Sequence, residues 1–384
     1  MLDSAYPTSK AYGVTTEKTL RSLLSAGRDF RFICHRPQST QSLQTSLTFK
    51  EEYYRVSIVN KLLRKIAFMS FSWWSRLAWK LSRQITIIEN LDRLIRADTN
   101  VVWVREKPLP FLQKINPRLV FVIEIHETPT KHTLRLIKKL KPESFLLCPI
   151  SQFLASELEH LLQNHKILLS PMGIDTASFS NEELTVQIET RYKTIAAPIR
   201  IGYFGKLAPN GISKGFEEIL DFSSKLSSNG FLHKILFVGI DEKDRERLSV
   251  ESRKRCIEIL NLEIQSYLPH DLCLELMKNC DVLVLPTNQD PKYSGHPLKA
   301  FEYANSARII LCAETATNSQ IFSGTFQPYF YIPGDIESMY SAFQFAISDP
   351  DLLERLVAGV NFSSKFTWEA RTSKILEECE ILLN

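Results

Sequence analysis

The first half of the chain alternates helix-like spacing of apolar residues with short apolar runs. The apolar runs predict strands at residues 28–34, 101–104, 119–125 and 166–169. The helix-like spacing predicts helices at residues 16–26, 55–97, 130–140 and 151–163. Strands that alternate with helices are typical of a parallel sheet with right-handed crossovers, so this half predicts one α/β domain.

The second half repeats the alternation after a polar stretch at residues 181–197, which we interpret as a linker. Strands are predicted at residues 199–204, 234–238, 264–267, 282–285 and 308–312, and helices at 215–227, 271–279, 297–306, 335–347 and 368–382. We therefore predict two Rossmann-like, doubly wound α/β domains, at residues 1–180 and 198–367, with the closing helix 368–384 returning to the first. Ligands of such sheets bind at the carboxyl ends of the strands, here in a cleft between the two facing domains.

Composition narrows the class of protein. A chain of 384 residues, 44% of them hydrophobic, can bury two ordinary cores, and 23% charged residues is not the composition of a disordered chain. The net charge of +4 is mild and does not indicate a nucleic-acid partner. The seven cysteines form no C-x-x-C pair, which gives no signal of a zinc ribbon and favours free thiols in a reducing compartment.

Two features bear on location. No strongly apolar run reaches the ~18 residues that span a bilayer, and the opening residues do not show a secretory pattern, so we expect a cytoplasmic protein. Residues 55–83 carry basic side chains and clustered tryptophans but no acidic residue, which suits an anionic membrane surface at the inner face. The alternative is a helix pair whose aromatic residues pack on the first domain while its cations face water.

The opening residues 2–7 (LDSAYP) look like the tail of a strand that runs into a loop. A doubly wound domain begins with a full strand of ~5 residues. We therefore expect the natural protein to start upstream of Met1, by about four to eight mostly apolar residues. The alternative is a real but short first strand.

Two lysines follow the predicted strand at 199–204. Lys206 comes directly after Gly205, and Lys214 stands at the start of the next predicted helix. Two ammonium groups and a helix N-terminus at the carboxyl end of a strand suit a diphosphate. The alternative is a pair of solvated loop lysines.

The segment 295–303 (GHPLKAFEY) opens a predicted helix at Pro297. The backbone N–H groups of its first turn would accept a phosphate, and Lys299 adds positive charge. Glu302 lies further along, where a carboxylate can chelate vicinal ribose hydroxyls. The alternative is an amphipathic helix on which Glu302 is merely exposed.

His126 follows the predicted buried strand at 119–125, within the segment 124–127 (EIHE). Polar residues directly after a buried strand lie at the ligand-binding edge, where His126 could hydrogen-bond a sugar hydroxyl or a departing phosphate. The alternative is a structural histidine, which is the more common case for a single one.

Eight segments of the chain, taken in sequence order, resemble the retaining family-4 glycosyltransferases of the GT-B fold, the group 1 type. The matching segments are 6–15 (YPTSKAYGVT), 102–105 (VWVR), 124–127 (EIHE), 171–179 (PMGIDTASF), 201–207 (IGYFGKL) with 214–215 (KG), 280–286 (CDVLVLP), 297–303 (PLKAFEY) and 366–369 (FTWE). They extend over nearly the whole chain, which makes the resemblance far more specific than any one segment.

The resemblance implies roles for the matching residues on the donor side. Lys206 and Lys214, beside Gly205, would bind the donor diphosphate and stabilise charge on the leaving nucleotide. Glu302 would bind the ribose hydroxyls. Leu298 and Lys299, just after Gly295, would offer backbone N–H groups to the phosphate.

On the other side of the reaction, the resemblance implies that His126 contacts the transferred sugar. Gly13 and Thr15 would lie in the first strand-to-helix loop, on the acceptor side. The resemblance also implies no cofactor and no metal, because positive side chains and helix ends replace the cation.

Two departures from the family pattern matter. In the family's E-x7-E pattern, Ser294 stands where the first glutamate is expected. Ala307 replaces a glycine that commonly adopts a left-handed turn, at some conformational cost. The first departure leaves the identity of the donor sugar open.

We therefore predict a retaining glycosyltransferase that uses a nucleotide sugar and a glycan or lipid-linked acceptor, in cell-surface glycan or polysaccharide synthesis, with no nucleic-acid partner. The alternative is a catalytically weakened nucleotide-sugar-binding protein that partners an active transferase. A third alternative is a GT-B epimerase or phosphorylase.

Overall fold

The computed structural model describes most of the chain. The described residues are 2–3, 11–27, 33–34, 85, 100–105, 112–163, 165–176, 181–192, 198–208, 213–258, 261–286, 298–324 and 326–384. The chain divides into two compact units. The first unit comprises residues 1–173 and 368–384, and the second unit comprises residues 174–367.

The first unit is built on a parallel sheet. Its strands are β1 (Leu2–Asp3), β2 (Ile33–Cys34), β3 (Val101–Arg105), β4 (Val120–Ile125) and β5 (Phe145–Pro149), in the order β2-β1-β3-β4-β5. Every residue of β4 is buried, and its sequence is almost wholly apolar because an interior parallel strand is covered on both faces. The one charged residue of this strand is Glu124, which is also buried and lies next to the carboxyl end of β4.

The second unit is built on a larger parallel sheet. Its strands are β6 (Ile199–Phe204), β7 (His233–Val238), β8 (Leu262–Gln265), β9 (Val282–Leu285), β10 (Ile309–Ala313) and β11 (Tyr329–Tyr331), in the order β11-β10-β9-β6-β7-β8. Both β6 and β9 lie inside the sheet, and their apolar side chains join the core of the unit. Because β6 pairs with β7 in parallel, the carboxyl ends of these two strands lie side by side.

Helices cover the strands of both sheets. In the described part of the first unit, the helices with described bounds are α1 (Ala11–Ser25), α2 (Leu112–Ile115), α3 (Lys131–Ile137), α4 (Gln152–Leu161) and α13 (Trp368–Leu383). Those of the second unit are α5 (Asn181–Tyr192), α6 (Phe216–Ser228), α7 (Glu242–Lys254), α8 (His270–Lys278), α9 (Leu298–Asn305), α10 (Ala316–Ile321), α11 (Ile336–Ser348) and α12 (Leu352–Ser363).

The closing helix α13 packs on the sheet of the first unit. Ile375 and Cys379 join the core that contains Leu146 of β5. Where the chain leaves and re-enters this unit, a Cβ on Gly173 would lie 2.7 Å from the backbone of Trp368, so only glycine fits there.

The expected linker at 181–197 contains the helix α5, which belongs to the second unit. Leu184 and Ile188, one helical turn apart, are buried against Ala307 and Leu356. Two apolar positions among many polar ones are enough to dock a helix, although they give little sequence signal. The boundary between the units lies after Gly173 instead.

Two further differences concern the first unit. The helix α1 begins at Ala11, so Gly13 and Thr15 lie in its first turns and not in a loop before a helix at 16–26. A strand is predicted at 166–169, but this segment pairs with β5 through a single bridge, between Ile167 and Leu147.

The basic, tryptophan-rich segment 55–83 lies outside the described residues, so its predicted membrane contact stays a prediction. Among the helices that the structure does describe, none has both the length and the apolar character needed to cross a bilayer.

Candidate functional site

Two glycines pack together where the neighbouring strands β6 and β7 end. Gly205 follows β6 with a φ of +127°, and Gly239 follows β7 with a φ of +91°. The N–H of Gly205 donates to the carbonyl of Val238 at 2.7 Å. A Cβ on Gly239 would lie 3.3 Å from the Cα of Gly205, and a Cβ on Gly205 would lie 3.1 Å from the Nζ of Lys299. A lysine ammonium therefore takes the space that a side chain on Gly205 would fill.

Lys206 is the first side chain after this glycine. Its Nζ lies 3.3 Å from Oδ2 of Asp241, the residue that caps α7. The two side chains are 60% and 52% exposed, so the ion pair contributes little to stability. An incoming anion could therefore draw the Lys206 ammonium away from Asp241 at small cost.

Lys214 stands at the start of α6. Its N–H donates to the carbonyl of Leu207 at 2.7 Å, and the next residue, Gly215, caps the helix with a φ of +82°. Partial burial lowers the pKa of the Lys214 ammonium. The loop from β6 to α6 thus holds one exposed and one partly buried cation.

Lys299 is the second residue of α9 and the third lysine at this edge. Its Nζ lies 4.0 Å from the centre of the Tyr203 ring, which is a cation–π distance. Burial, reinforced by the charge of Lys214, lowers the pKa of Lys299 to about 7, and Glu302 opposes that shift. Both ammonium groups have a lowered pKa, so the charged form of each would gain from a bound anion.

Glu302 lies on the same helix and is only 7% exposed, so it is not the exposed residue of an ordinary amphipathic helix. Its Oε1 accepts a hydrogen bond from Nε2 of His270, the first residue of α8, at 2.6 Å. The other ring nitrogen, Nδ1, lies 3.8 Å from Oδ2 of Asp175. A buried carboxylate with a fixed donor is placed close to the lysines.

Asp175, His270 and Asp271 each have a ligand atom within 4.8 Å of the others. In the described part of the chain this is the group that could hold a metal ion. An imidazole with two carboxylates suits a divalent transition metal such as Zn²⁺ or Mn²⁺. Asp271 is exposed, and exposed acidic groups of this kind are common without an ion.

The first unit has a separate cluster at the carboxyl end of β4. Arg105 donates from Nε to Oε2 of Glu124 at 2.7 Å, and Arg371 of α13 donates from Nη2 to Oε1 at 2.8 Å. All three side chains are at most 3% exposed. Burial alone would raise the pKa of Glu124, but the charges of Arg371 and Arg105 and the hydrogen bond from His126 hold it well below its usual range. The carboxylate is therefore ionised.

His126 and Thr15 are both tied to this cluster. Nε2 of His126 lies 3.1 Å from Oε2 of Glu124 and donates to it, which fixes the orientation of the ring. The His126 side chain is 22% exposed. The hydroxyl of Thr15 accepts a hydrogen bond from Nη1 of Arg105 at 3.1 Å and is buried, so it is used inside the unit. Gly13 lies earlier on the same helix.

The structure brings most of the predicted donor-side residues together, while others lie outside the described residues. Gly205, Lys214, Lys299 and Glu302 come together at one edge of the second unit, with Lys206 beside them. Leu298 opens α9, so its N–H has no carbonyl of its own helix to bind. Gly295, Pro297 and Ser294 lie outside the described residues.

Arg371 and His270 were not predicted from the sequence as site residues. Arg371 meets Glu124 across 247 positions of the chain, and His270 meets Glu302 across 32. No local spacing announces such a pair. The only sequence signal is a charged residue within an otherwise apolar strand, Glu124, which requires a buried partner somewhere.

Comparison with known proteins gives structural neighbours but no sequence relatives. No protein-family model matches the chain, and no curated protein has a matching sequence. The chain is similar in structure to a trehalose-6-phosphate synthase from E. coli with UDP-2-fluoro glucose bound, with a TM-score of 0.67 and 13% identity over 99% of this chain and 98% of that one.

Two other solved structures agree with this match. One is a trehalose-6-phosphate synthase described in work on glycosyl transfer with retention, with a TM-score of 0.64, 12% identity, and 99% and 98% of the two chains covered. The other is a glycosyltransferase from Rickettsia africae ESF-5, with a TM-score of 0.64, 12% identity, and 100% and 97% covered. These likenesses confirm the predicted fold: the chain has two Rossmann-like, doubly wound α/β domains of the GT-B type.

Proposed function

We propose that the protein is a retaining glycosyltransferase that moves a sugar from a nucleotide-diphosphate sugar to a hydroxyl of a glycan or lipid-linked acceptor. The observation that carries the proposal is the gathering of Lys214, Lys299 and Glu302 around Gly205 at the carboxyl end of β6. Cations at a strand end suit a diphosphate, and the carboxylate suits a ribose. The structural neighbour that binds UDP-2-fluoro glucose supports a nucleotide-sugar donor.

The donor would be held from two sides of its diphosphate. Lys206 and Lys214 would bind it from the loop after β6, while the first N–H groups of α9, at Leu298 and Lys299, would bind it from the helix end. Glu302 would accept hydrogen bonds from the ribose hydroxyls. This arrangement leaves the sugar on the far side of the diphosphate from the nucleoside.

The reaction would proceed on one face of the sugar. The bond between the anomeric carbon and the diphosphate oxygen breaks, and a bond to the acceptor oxygen forms on the same face. The acceptor proton passes to an oxygen of the departing diphosphate, so no side chain acts as a nucleophile. Lys206 and Lys214 would stabilise the charge that develops on the leaving group, and His126 would contact the transferred sugar.

A structural neighbour described in work on retention supports a retaining outcome for this chain. We also propose that turnover needs no divalent cation, because lysines and helix ends supply the positive charge. Excess EDTA should then leave the rate unchanged. If EDTA abolishes turnover and Mn²⁺ restores it, the group Asp175, His270 and Asp271 is the first to test by substitution.

The rival proposal is a nucleotide-sugar-binding protein without turnover, and Ser294 in place of the family's glutamate favours it. Both proposals place the protein in the cytoplasm, and the segment 55–83 would bring it to the inner face of the membrane. In the transferase proposal, the acceptor would be a precursor of a surface glycan.

Two measurements test the proposal in turn. UDP-, GDP- and ADP-sugars are first screened by thermal unfolding, because a ligand that binds only the folded state raises its stability. The donor with the largest effect is then incubated with candidate acceptors, including sugar phosphates, and the anomeric configuration of any product is read by NMR. Retained configuration supports the transferase; stabilisation without turnover supports the binding protein; no stabilisation contradicts both.

A further inference from the structure

The carboxylate of Glu302 is held by a specific donor. Nε2 of His270 lies 2.6 Å from Oε1 of Glu302, and the glutamate side chain is only 8% exposed. A charge-assisted hydrogen bond of this length is among the stronger ones in proteins. The contact joins the first residue of α8 to the middle of α9.

Asp175 flanks His270 on the other side of the ring. Nδ1 lies 3.8 Å from Oδ2 of Asp175. Asp175 is anchored in turn, because its carbonyl accepts a hydrogen bond from Nδ2 of Asn305 at 3.2 Å, and Asn305 lies on the same helix as Glu302. The N–H of the preceding residue, Ile174, donates to the carbonyl of Phe366 at 2.8 Å. At 3.8 Å the Asp175 carboxylate is a neighbour of the imidazole and not a hydrogen-bond partner, so the contact with Glu302 is the specific one.

The hydrogen bond from His270 to Glu302 matters because the last torsion of a glutamate is soft. Rotation about χ3 is broad and roughly two-fold, so an unheld carboxylate offers its oxygens over a range of positions. To chelate two vicinal hydroxyls, both oxygens of the carboxylate must be held in a fixed plane and at a fixed position. A carboxylate has about four lone-pair sites, so Oε1 can accept from His270 and still accept from a hydroxyl.

We propose that His270 is a positioning residue for the nucleoside ribose: its Nε2–H fixes the plane of the Glu302 carboxylate so that both oxygens face the vicinal hydroxyls. This inference rests on the proposed function, in which Glu302 binds ribose. His270 does not touch the substrate. Its effect is therefore confined to how well Glu302 distinguishes a ribose from a 2′-deoxyribose.

Two conservative substitutions separate positioning from bulk structure. The amide nitrogen of glutamine in His270→Gln reaches the place of Nε2 and keeps a donor for Glu302. The shorter side chain of His270→Asn places its amide near the position of Nδ1, toward Asp175, and leaves Glu302 without its donor. Leu272→Gln, at a 46% exposed position on the same helix, is the control for a neutral change.

The experiment measures the dissociation constants of UDP, GDP and ADP and of their 2′-deoxy counterparts by calorimetry. For the nucleotide that binds, we expect wild-type protein, His270→Gln and Leu272→Gln to prefer the ribose form by about tenfold or more, the usual effect of a hydrogen bond to a charged group. We expect the preference to fall to within about threefold in His270→Asn and to vanish in Glu302→Ala. Thermal unfolding of each variant checks that it is folded.

The outcomes separate the two proposals. If His270→Asn keeps the wild-type preference while Glu302→Ala loses it, Glu302 binds ribose unaided and the role of His270 is refuted. If His270→Gln loses the preference as fully as His270→Asn does, the donor to Glu302 is not what matters, which also refutes it. If Glu302→Ala keeps the preference, or if no nucleotide binds, the proposed donor site itself is wrong.

Discussion

Arg371 donates a hydrogen bond to Glu124 at 2.8 Å, which ties the closing helix α13 to the interior strand β4 of the first unit. Without Arg371, Glu124 would keep its ion pair with Arg105 but lose the donor to Oε1, and the loss of a hydrogen bond to a charged group costs about 1.5–3 kcal/mol. We therefore expect Arg371→Met to lower the stability of the first unit by about that amount. Glu369→Gln, at an exposed position on the same helix, is the control. Urea unfolding measures both, and a loss below about 1 kcal/mol in Arg371→Met would refute this account of the cluster.

The same cluster predicts an acid dependence of stability. The pKa of Glu124 is lower in the folded protein than its unfolded value of about 4.3, so its ionisation stabilises the fold above that pH. This contribution is lost as the pH falls below about 4.3 toward the folded value. We expect the thermal midpoint of the wild type to fall more steeply between pH 5 and pH 3 than that of Glu124→Gln, which starts lower. Parallel curves would contradict the prediction.

The lowered pKa of Lys299 predicts that the protein takes up protons when the donor binds. Its pKa of about 7 means that much of it is neutral at pH 8, and a diphosphate nearby would favour the charged form. Donor binding should therefore take up protons and weaken as the pH rises from 7 to 9. The partly buried Lys214, whose pKa is also lowered, would add to the effect. The donor used is a nucleotide sugar, whose diphosphate has no proton of its own to lose in this range.

Calorimetry in buffers of different ionisation enthalpy measures that uptake. We expect Lys299→Gln to reduce it and to flatten the pH dependence. Lys225→Gln, which removes a surface lysine paired with Glu337, is the control and should leave both unchanged. Equal uptake in Lys299→Gln and the wild type would show that Lys299 does not face the donor phosphates.

Ala307 adopts a φ of +54°, the left-handed conformation anticipated from the glycine that it replaces. Relief of this strain in Ala307→Gly is worth about 1–2 kcal/mol. The lost burial of the methyl group costs about 0.8 kcal/mol, and the freedom of glycine in the unfolded chain costs about 0.5–1 kcal/mol. These terms offset one another, so we expect Ala307→Gly to change the unfolding free energy by less than about 1 kcal/mol.

Ala307→Val has no such balance. A β-branched side chain at positive φ is strained, and the site is buried against Leu184, Ile188 and Leu356. We expect a loss of about 2 kcal/mol or more by urea unfolding. If valine is tolerated as well as glycine, the turn is not constrained as described.

The membrane prediction concerns the segment 55–83. Charge reversal at Lys61, Arg64 and Lys65 should release the protein from anionic vesicles, because each basic residue near such a surface contributes about 1 kcal/mol. Sedimentation with phosphatidylserine-containing vesicles at low salt measures this, with neutral vesicles as the control. Wild-type protein that stays in the supernatant would refute the contact.

Apolar runs predicted most strands of the two sheets, but β5 (Phe145–Pro149) and β11 (Tyr329–Tyr331) were not predicted. The strand β9 is predicted with its observed bounds, because Val282–Leu285 is apolar throughout and turn residues flank it. The helices α5 and α7 could not be predicted from the apolar pattern. In α7 the buried side chains include Asp244 and Ser252 beside Leu248, so polar residues occupy positions that the apolar pattern relies on.

The candidate site shows the same contrast. Gly205 and Lys206 follow β6 directly, and Lys214 stands at the start of the next helix, so their common location could be predicted from the order of elements alone. His270 and Arg371 reach their carboxylate partners through tertiary packing, and nothing in their own neighbourhood of the sequence distinguishes them. Residues that orient other residues are therefore the part of a site that sequence reasoning misses most readily.

The most direct test of the central claim is the release of nucleoside diphosphate from the donor that stabilises the protein, measured with a pool of glycan and sugar-phosphate acceptors. Loss of a charge contact to the leaving group costs on the order of 10²–10³ in turnover. The account predicts that loss for Lys206→Ala and Lys214→Ala, and a near-normal rate for the surface control Lys225→Ala. Glu302→Ala should mainly raise the KM for the donor. Near-wild-type turnover in both Lys206→Ala and Lys214→Ala would contradict the placement of the donor diphosphate.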